Sequence, residues 1–175
     1  MKRQPQTRSA RLQTLTMTAL LAALITALTY YGRIPFPMSN GGYVHLGDGM
    51  VCIAACLLSA PYAVAAAAIG AGMADALLGF YPWIPATLVL KACMALLFSA
   101  KREKLLCPRN ILALPLAALV NTGGYFLYES LIYRQWAAML SAVGNLVQSA
   151  VAAAIFLLLA AALDHLNIKR KFMNL

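Results

Sequence analysis

Long apolar stretches alternate with short polar segments along the chain, and each stretch predicts a helix that crosses a membrane. A spanning helix needs about 20 mostly apolar residues, because each residue adds about 1.5 Å and the hydrocarbon core is about 30 Å thick. The stretch over residues 48–80 is too long for one span, and Pro61 divides it, since proline is tolerated at a helix start but breaks an interior. The pattern predicts an all-α bundle of six membrane helices in one membrane domain over residues 1–175. The predicted helices cover residues 12–31, 48–60, 61–80, 86–100, 111–128 and 137–163.

The composition supports lipid as the solvent of this bundle. Of the 175 residues, 62% are hydrophobic and 11% are charged, and the mean hydropathy is +0.75, which is far more apolar than an average soluble domain. The net charge of +9 would suit nucleic acid, but the basic residues lie in the gaps between apolar stretches, as membrane topology requires. We therefore expect no nucleic-acid partner. The four cysteines lack a metal-binding pattern, so neither a metal nor a cofactor is predicted.

The distribution of Lys and Arg predicts the orientation of the helices, because cytoplasmic loops carry an excess of both residues. With the N-terminus inside, two of the 14 lie in outer loops (Arg33 and Arg134) and Lys91 lies within the fourth helix. Both termini are therefore predicted to be cytoplasmic, in a prokaryotic-type plasma membrane. The first stretch ends without an Ala-x-Ala cleavage site, which favours a retained helix over a signal peptide. The eleven residues on the predicted cytoplasmic side are Lys2, Arg3, Arg8, Arg11, Lys101, Arg102, Lys104, Arg109, Lys169, Arg170 and Lys171.

Three charged residues interrupt the apolar stretches and are the first candidates for a functional site. A charge at mid-membrane costs about 2.5–3.5 kcal/mol, so such a residue usually has a partner or a role in function. At about 1.5 Å per residue, Asp75 lies about 8 Å inward from the outer end of its helix. By the same rise, Lys91 lies about 12 Å inward from the turn that precedes the fourth helix. Asp48 opens the second helix on the same side. Two interpretations stay open: Asp75 and Lys91 form a buried pair that only joins two helices, or these residues contact a ligand.

Polar side chains on the fifth and sixth helices fall at a similar depth. Asn121 and Asn145 lie in the outer half of the membrane by the same rise, although such residues often only hydrogen-bond to a neighbouring helix. His45, in the first outer loop, has no partners for a metal. Trp83 and other aromatic residues at helix ends are predicted to be interface anchors. The shared depth favours a substrate-binding site, and the predicted residues are His45, Asp48, Asp75, Lys91, Asn121, Tyr125, Tyr128, Glu129, Asn145 and Gln148.

Small residues recur on one face of the first helix. Ala19, Ala23 and Ala27 are spaced four residues apart, and small side chains let another helix approach closely in lipid. This alanine stripe is either packing inside the bundle or a surface for a partner helix, and the spacing alone does not separate the two.

Short segments in the middle third of the chain resemble the S components of energy-coupling factor (ECF) transporters. These segments are His45-Leu46-Gly47-Asp48 at the second helix, Ala74-Asp75 followed by Gly79-Phe80 at the end of the third, and Pro85-Ala86-Thr87 followed by Lys91-Ala92 in the fourth. The closest branch includes the riboflavin, hydroxymethylpyrimidine and pyridoxine types. In that branch Tyr is usual where this chain has Phe80, and Gly is usual where it has Ala92.

The resemblance implies a binding and transport subunit and not an enzyme. S components capture a vitamin or vitamin precursor at the outer face and then dock on a transmembrane T component that carries two cytoplasmic ATPase subunits. The resemblance also implies that the alanine stripe contacts the T component, and that helices four to six build the pocket together with outer loops one, three and five. Riboflavin, pyridoxine, a thiamin precursor and an aromatic amino acid all stay open as the ligand. Two rival functions also stay open: a small membrane enzyme that uses Asp48 and Asp75, and a homo-oligomeric channel.

Overall fold

The computed structural model describes residues 8–35, 43–133 and 135–169, and this part of the chain forms a bundle of six α-helices. The all-α membrane bundle is thereby confirmed. Lys2, Arg3, Arg134, Arg170 and Lys171, which entered the charge count, lie outside the described residues. The helices are α1 (Arg8–Tyr30), α2 (Gly47–Leu57), α3 (Ala60–Leu78), α4 (Ile84–Leu97), α5 (Pro108–Ile132) and α6 (Gln135–His165), and a 3-10 turn covers Tyr81–Trp83.

The loop between α1 and α2 contains a small β-hairpin, which the sequence did not predict and which adds to the all-α bundle. β1 (Arg33–Pro35) pairs antiparallel with β2 (Tyr43–His45), and Ile34 lies opposite Val44. Because side chains alternate along a strand, Tyr43 and His45 point to the same side. The hairpin therefore directs two side chains of the loop toward the helices below it.

The break between the second and third helices falls close to its predicted place. α2 ends at Leu57, three residues earlier than predicted, and Pro61 lies in the first turn of α3. Proline has no backbone N–H, but in the first turn of a helix an N–H would have no partner inside the helix, so nothing is lost there. α3 ends at Leu78, and the next residue, Gly79, has a φ of 79°, the left-handed conformation that glycine adopts without strain. The other helix ends differ from the predicted bounds by up to four residues, as is usual for helix termini.

α2 lies at the centre of the bundle. It has 11 residues, of which nine are buried, and it packs against α1, α3, α4 and α6. At about 1.5 Å per residue it is about 16 Å long, which is too short to cross the hydrocarbon core alone. Its central position explains this length, because the neighbouring helices shield it from lipid.

In the described part of the chain, four helices are long and apolar enough to cross a membrane by themselves. These are α1, α3, α5 and the segment Ala138–His165 of α6, whereas α2 and the segment Tyr81–Leu97 are shorter. Large apolar side chains are exposed along the long helices, including Leu119 in α5 and Leu158 in α6, as expected for surfaces in contact with lipid. The chain is therefore a multi-pass membrane protein, and the number of six spans stays a prediction.

α1 and α3 pack closely through a glycine. A side chain at Gly70 would collide with the Ala22 carbonyl oxygen and the Ile25 side chain. The Thr26 hydroxyl, on the same face of α1, donates a hydrogen bond to the Gly70 carbonyl oxygen at 2.8 Å. Small residues and inter-helix hydrogen bonds of this kind hold membrane helices together where lipid supplies no hydrophobic driving force.

Candidate substrate-binding site

A cavity of about 90 Å³ lies beneath the hairpin, between the adjoining ends of α2–α6. Nine of the ten residues predicted for the site line it, and Tyr128 does not: its hydroxyl donates a hydrogen bond to the Pro82 carbonyl oxygen. Helices α2 and α3 contribute to the lining as well as α4–α6, so the cavity is built from more elements than the resemblance implied. The lining residues are Tyr43, His45, Asp48, Asp75, Phe80, Trp83, Thr87, Lys91, Asn121, Tyr125, Glu129, Ser141, Asn145 and Gln148.

Lys91 is the centre of the polar side of the cavity. Its ammonium group lies 2.8 Å from both carboxylate oxygens of Asp48 and donates to Asn121 Oδ1 at 2.7 Å. Both charged residues are buried, Lys91 with 3% and Asp48 with 1% of its surface exposed. Of the two interpretations left open by the sequence, the one in which Lys91 forms an ion pair with Asp75 is therefore wrong. The central position of α2 is the reason, because it places Asp48 directly against α4.

Asp75 interacts with a hydroxyl group instead of a cation. It is hydrogen-bonded to Thr87, whose hydroxyl also lies 2.6 Å from the Tyr125 hydroxyl. An ionised carboxylate only accepts hydrogen bonds, so Thr87 donates to Asp75 and Tyr125 donates to Thr87. The second carboxylate oxygen of Asp75, Oδ2, is buried and has no hydrogen-bond partner in the described part of the chain.

Gln148 attaches the hairpin to α6. Its Oε1 accepts a hydrogen bond from the His45 backbone N–H at 2.6 Å, and its Nε2 donates to the His45 carbonyl oxygen at 2.8 Å. Nε2 also lies 3.3 Å from Asp48 Oδ2. The amide group of Gln148 is therefore used by the protein itself, so this residue positions the hairpin above the cavity.

The His45 imidazole is neutral at physiological pH. Its Nδ1 accepts a hydrogen bond from the Gly47 N–H at 3.2 Å, which requires that this nitrogen carries no proton. Burial lowers the pKa of His45 from 6.5 to about 4; Lys91 also lowers this pKa and Asp48 opposes the shift. The hairpin thus holds the half-buried ring against the cavity.

Aromatic rings form the other side of the cavity. The Phe80 ring centroid lies 5.5 Å from those of Tyr43 and Trp83, and the Trp83 indole N–H donates to Glu129 Oε1 at 2.9 Å. Trp83 therefore belongs to the cavity wall, although the sequence predicted an interface anchor. Burial raises the pKa of Tyr43 above its ordinary value, with further increases from Asp75 and Asp48, so its phenol stays protonated.

Five lining residues were not predicted from the sequence. They are Tyr43, Phe80, Trp83, Thr87 and Ser141. Tyr43 lies two residues before His45, and this spacing would have identified it if the loop had been recognised as a strand. Phe80, Trp83 and Thr87 lie in or beside the short turn between two predicted helices, and that position was the available signal.

The sequence matches the family described as ECF-type riboflavin transporter, S component, over residues 9–165. The chain belongs to this family. A comparison with curated proteins gave no match. The resemblance found in the motifs around Asp48, Asp75 and Lys91 is therefore confirmed over nearly the whole chain, and the family is one of membrane transporters.

The alanine stripe of this S component faces away from the bundle. Ala19 and Ala23 are exposed and Ala27 is half-buried, whereas Leu21 and Ile25 on the other side of α1 are buried. No other described helix covers Ala19 or Ala23, so packing inside the bundle does not explain the stripe. A face of small residues on a lipid-exposed helix leaves room for a helix of another protein.

Proposed function

We propose that this S component captures a small vitamin-like heteroaromatic molecule in the cavity described above. Two buried polar atoms carry the proposal: Asp75 Oδ2, an acceptor, and Asn121 Nδ2, a donor, have no hydrogen-bond partner among the described residues. A buried polar group without a partner costs about 1–3 kcal/mol. A ligand that bonds to both atoms removes this cost, which is why such a pair indicates a binding site.

The two sides of the cavity suit a flat ring with polar edges. Phe80 and Trp83 offer ring faces and edges for aromatic contact, which favours offset stacking or edge-to-face packing. Asp75 and Asn121 lie on the polar side and fix orientation. Ligand pockets commonly combine apolar walls with a few placed polar groups.

We further propose that six spanning helices place both termini in the cytoplasm and the cavity at the outer face. Asp164, near the end of α6, accepts hydrogen bonds from the backbone N–H groups of Leu105 and Leu106. This contact brings the end of α6 to the loop that contains the exposed residues Lys101 and Arg102. The positive-inside rule assigns that side to the cytoplasm.

Delivery of the ligand requires partners, because the chain contains no nucleotide-binding loop. We propose that α1 docks through Ala19, Ala23 and Ala27 on a T component carried by two cytoplasmic ATPase subunits. The exposure of Ala19 and Ala23 supports this assignment. The alternative of a membrane enzyme that uses Asp48 and Asp75 is less favoured, because Lys91 neutralises Asp48 and Gln148 binds it.

Mass spectrometry of small molecules released from the detergent-purified protein tests the proposal. We expect a nitrogen heteroaromatic to be released, and its affinity to fall at least tenfold in Asn121→Leu and in Asn145→Leu, given the cost of a lost buried hydrogen bond. Ser130→Leu is the matched control, because the Ser130 hydroxyl bonds only within α5, to the Phe126 carbonyl oxygen. Equal affinity in all three variants would place binding elsewhere in the molecule.

A further inference from the structure

A second cavity, of about 50 Å³, lies at the end of the bundle opposite to the cavity beneath the hairpin. The first cavity is lined by residues near the start of α6, whereas Leu163 and Asp164, near the end of that helix, line the second. A water molecule needs about 10–15 Å³ of such volume, so the second cavity has room for a small polar group. Its lining residues are Glu103, Lys104, Leu163, Asp164, Asn167 and Lys169.

A turn after α6 brings Lys169 into this second cavity. The Asn167 N–H donates to the Asp164 carbonyl oxygen, and Asn167 has a φ of 51°, the left-handed conformation in which glycine or asparagine commonly ends a helix. The chain leaves the helix axis there, and Lys169 lies against the bundle with 3% of its surface exposed. It interacts electrostatically with Cys56, at the end of α2, and with Cys107, just before α5.

The ammonium group of Lys169 is buried and has no hydrogen-bond partner among the described residues. Burial lowers the pKa of Lys169, and Asp164 together with the two thiols opposes this shift. The Asp164 carboxylate is bound elsewhere, since its two oxygens accept the Leu105 and Leu106 N–H groups at 2.8 and 2.9 Å. A buried cation is costly unless it is paired and hydrogen-bonded, so the cavity lacks an anion next to Lys169.

The loop between α4 and α5 adds further cations at this end of the bundle. Lys101, Arg102 and Lys104 are exposed in it, and Glu103 is its one carboxylate. Lys104 lines the same cavity as Lys169. An ammonium group has three donors and no acceptor, so two of them at one cavity favour an anion with several oxygens.

The end of α6 lies at the level of lipid headgroups. The apolar segment Ala138–His165 has 28 residues and is about 42 Å long at about 1.5 Å per residue. A bilayer with its headgroup regions is about 40–45 Å thick. Leu158 on α6 and Leu166 just after it are exposed, as expected for a surface that acyl chains cover. A phosphate at this depth is therefore most readily supplied by a lipid.

We propose that Lys104 and Lys169 bind the phosphate group of an anionic lipid in the adjacent leaflet. The phosphate oxygens accept charge-assisted hydrogen bonds from both ammonium groups, and the phosphate supplies the anion that Lys169 lacks. The basic loop attracts the remaining negative surface charge of the lipid. This site goes beyond the proposed function, because it lies at the other end of the bundle and does not depend on the substrate.

Thermal stabilisation and native mass spectrometry of the detergent-purified chain test the site with phosphatidylglycerol, phosphatidylcholine and inorganic phosphate as probes. We expect phosphatidylglycerol to bind at least about tenfold more tightly than phosphatidylcholine, whose choline cation meets the basic loop. Inorganic phosphate at equal concentration should not displace the lipid. In Lys169→Met the preference should fall below about threefold, whereas Lys169→Arg should keep it. Lys101→Met removes the same charge from an exposed position outside the cavity and should also keep the preference.

Four outcomes would overturn the proposal. Equal binding of the two lipids by the wild type would show that the site does not select an anionic lipid. Equal loss of the preference in Lys101→Met and Lys169→Met would assign binding to the basic loop as a whole. Displacement by equimolar inorganic phosphate would make the ligand a free anion. If Lys169→Met does not fold, Lys104→Met tests the same cavity, and an unchanged preference in that variant would refute the contact with both ammonium groups.

Discussion

Replacement of Lys91 by Met tests the central ion pair of the S component. The ammonium group of Lys91 lies 2.8 Å from Asp48, and both residues are at least 97% buried. Lys91→Met removes the cation, keeps a side chain of similar length, and leaves a buried carboxylate without its counter-ion. Removal of one partner from such a pair costs about 3–5 kcal/mol. Asn121 Oδ1 loses its donor at the same time, which adds to the cost.

The double variant Lys91→Met with Asp48→Asn removes both charges and should recover most of the lost stability. For a chain of this size about 1 kcal/mol corresponds to about 2–4 °C, so we expect the single variant to melt about 6–20 °C below the wild type. A coupling energy above about 2 kcal/mol between the two sites would confirm direct contact. Thermal unfolding in detergent can be followed with a thiol-reactive dye, because Cys52 and Cys56 are buried in the folded chain.

Lys91→Met with Asp75→Asn is the matched comparison. Asp75 is hydrogen-bonded to Thr87 and makes no ion pair with Lys91, so this second double variant should stay as unstable as Lys91→Met alone. Equal rescue by Asp48→Asn and Asp75→Asn would refute the assignment of the pair. A loss below about 1 kcal/mol in the single variant would show that the carboxylate of Asp48 is hydrated or protonated in the folded protein.

Three further predictions address docking, acid stability and the hairpin. Ala23→Trp should abolish uptake by cells and co-purification with the T component, while ligand affinity stays unchanged. The control Leu158→Trp, on the exposed face of α6, should transport normally. Normal transport by Ala23→Trp would show that the alanine stripe is not part of the docking interface. Burial lowers the pKa of His45 to about 4, so the unfolded chain binds more protons than the folded chain between about pH 4 and 6.5. The contribution of His45 to the free energy of unfolding should therefore be complete above pH 6.5 and fall by up to about 3 kcal/mol as the pH drops to 4. His45→Asn keeps an acceptor for Gly47 and should flatten this dependence of the melting temperature; an unchanged slope would assign it to other groups. Gln148→Leu should leave the His45 backbone groups without partners, speed amide hydrogen exchange in β2 and raise the ligand off-rate at least fivefold, and unaltered exchange would show that the hairpin is held by other contacts.

Depth along each helix could be predicted from the sequence. Asp75, Lys91, Asn121 and Asn145 were expected at one level of the membrane, and all four line the same cavity. The rise per residue is a local property of the helix, so counting from a helix end gives the level of a side chain without knowledge of its neighbours. The Pro61 break was predictable for a similar reason, since the conformation of proline is set by its own ring.

Which face of each helix points to which neighbour was decided only by the tertiary structure. The pairing of Lys91 with Asp48 depends on the central position of α2, and α2 is central because it packs against four other helices. The hairpin that brings Tyr43 to the cavity likewise depends on contacts with Gln148, which is 103 residues distant from His45 in the chain. In a sequence that is apolar nearly throughout, hydrophobic periodicity does not distinguish a face that meets lipid from one that meets another helix.

The sequence by itself determined that this chain is a helical membrane bundle with polar residues gathered at one depth, because apolar length and helical rise act within single segments. Only the tertiary structure decided which carboxylate neutralises Lys91, that Asp75 Oδ2 is left without a hydrogen-bond partner among the described residues, and that Ala19 and Ala23 lie on an exposed surface. Those outcomes depend on contacts between segments distant in the chain, and the close packing of Gly70 of α3 against α1 is one of these contacts.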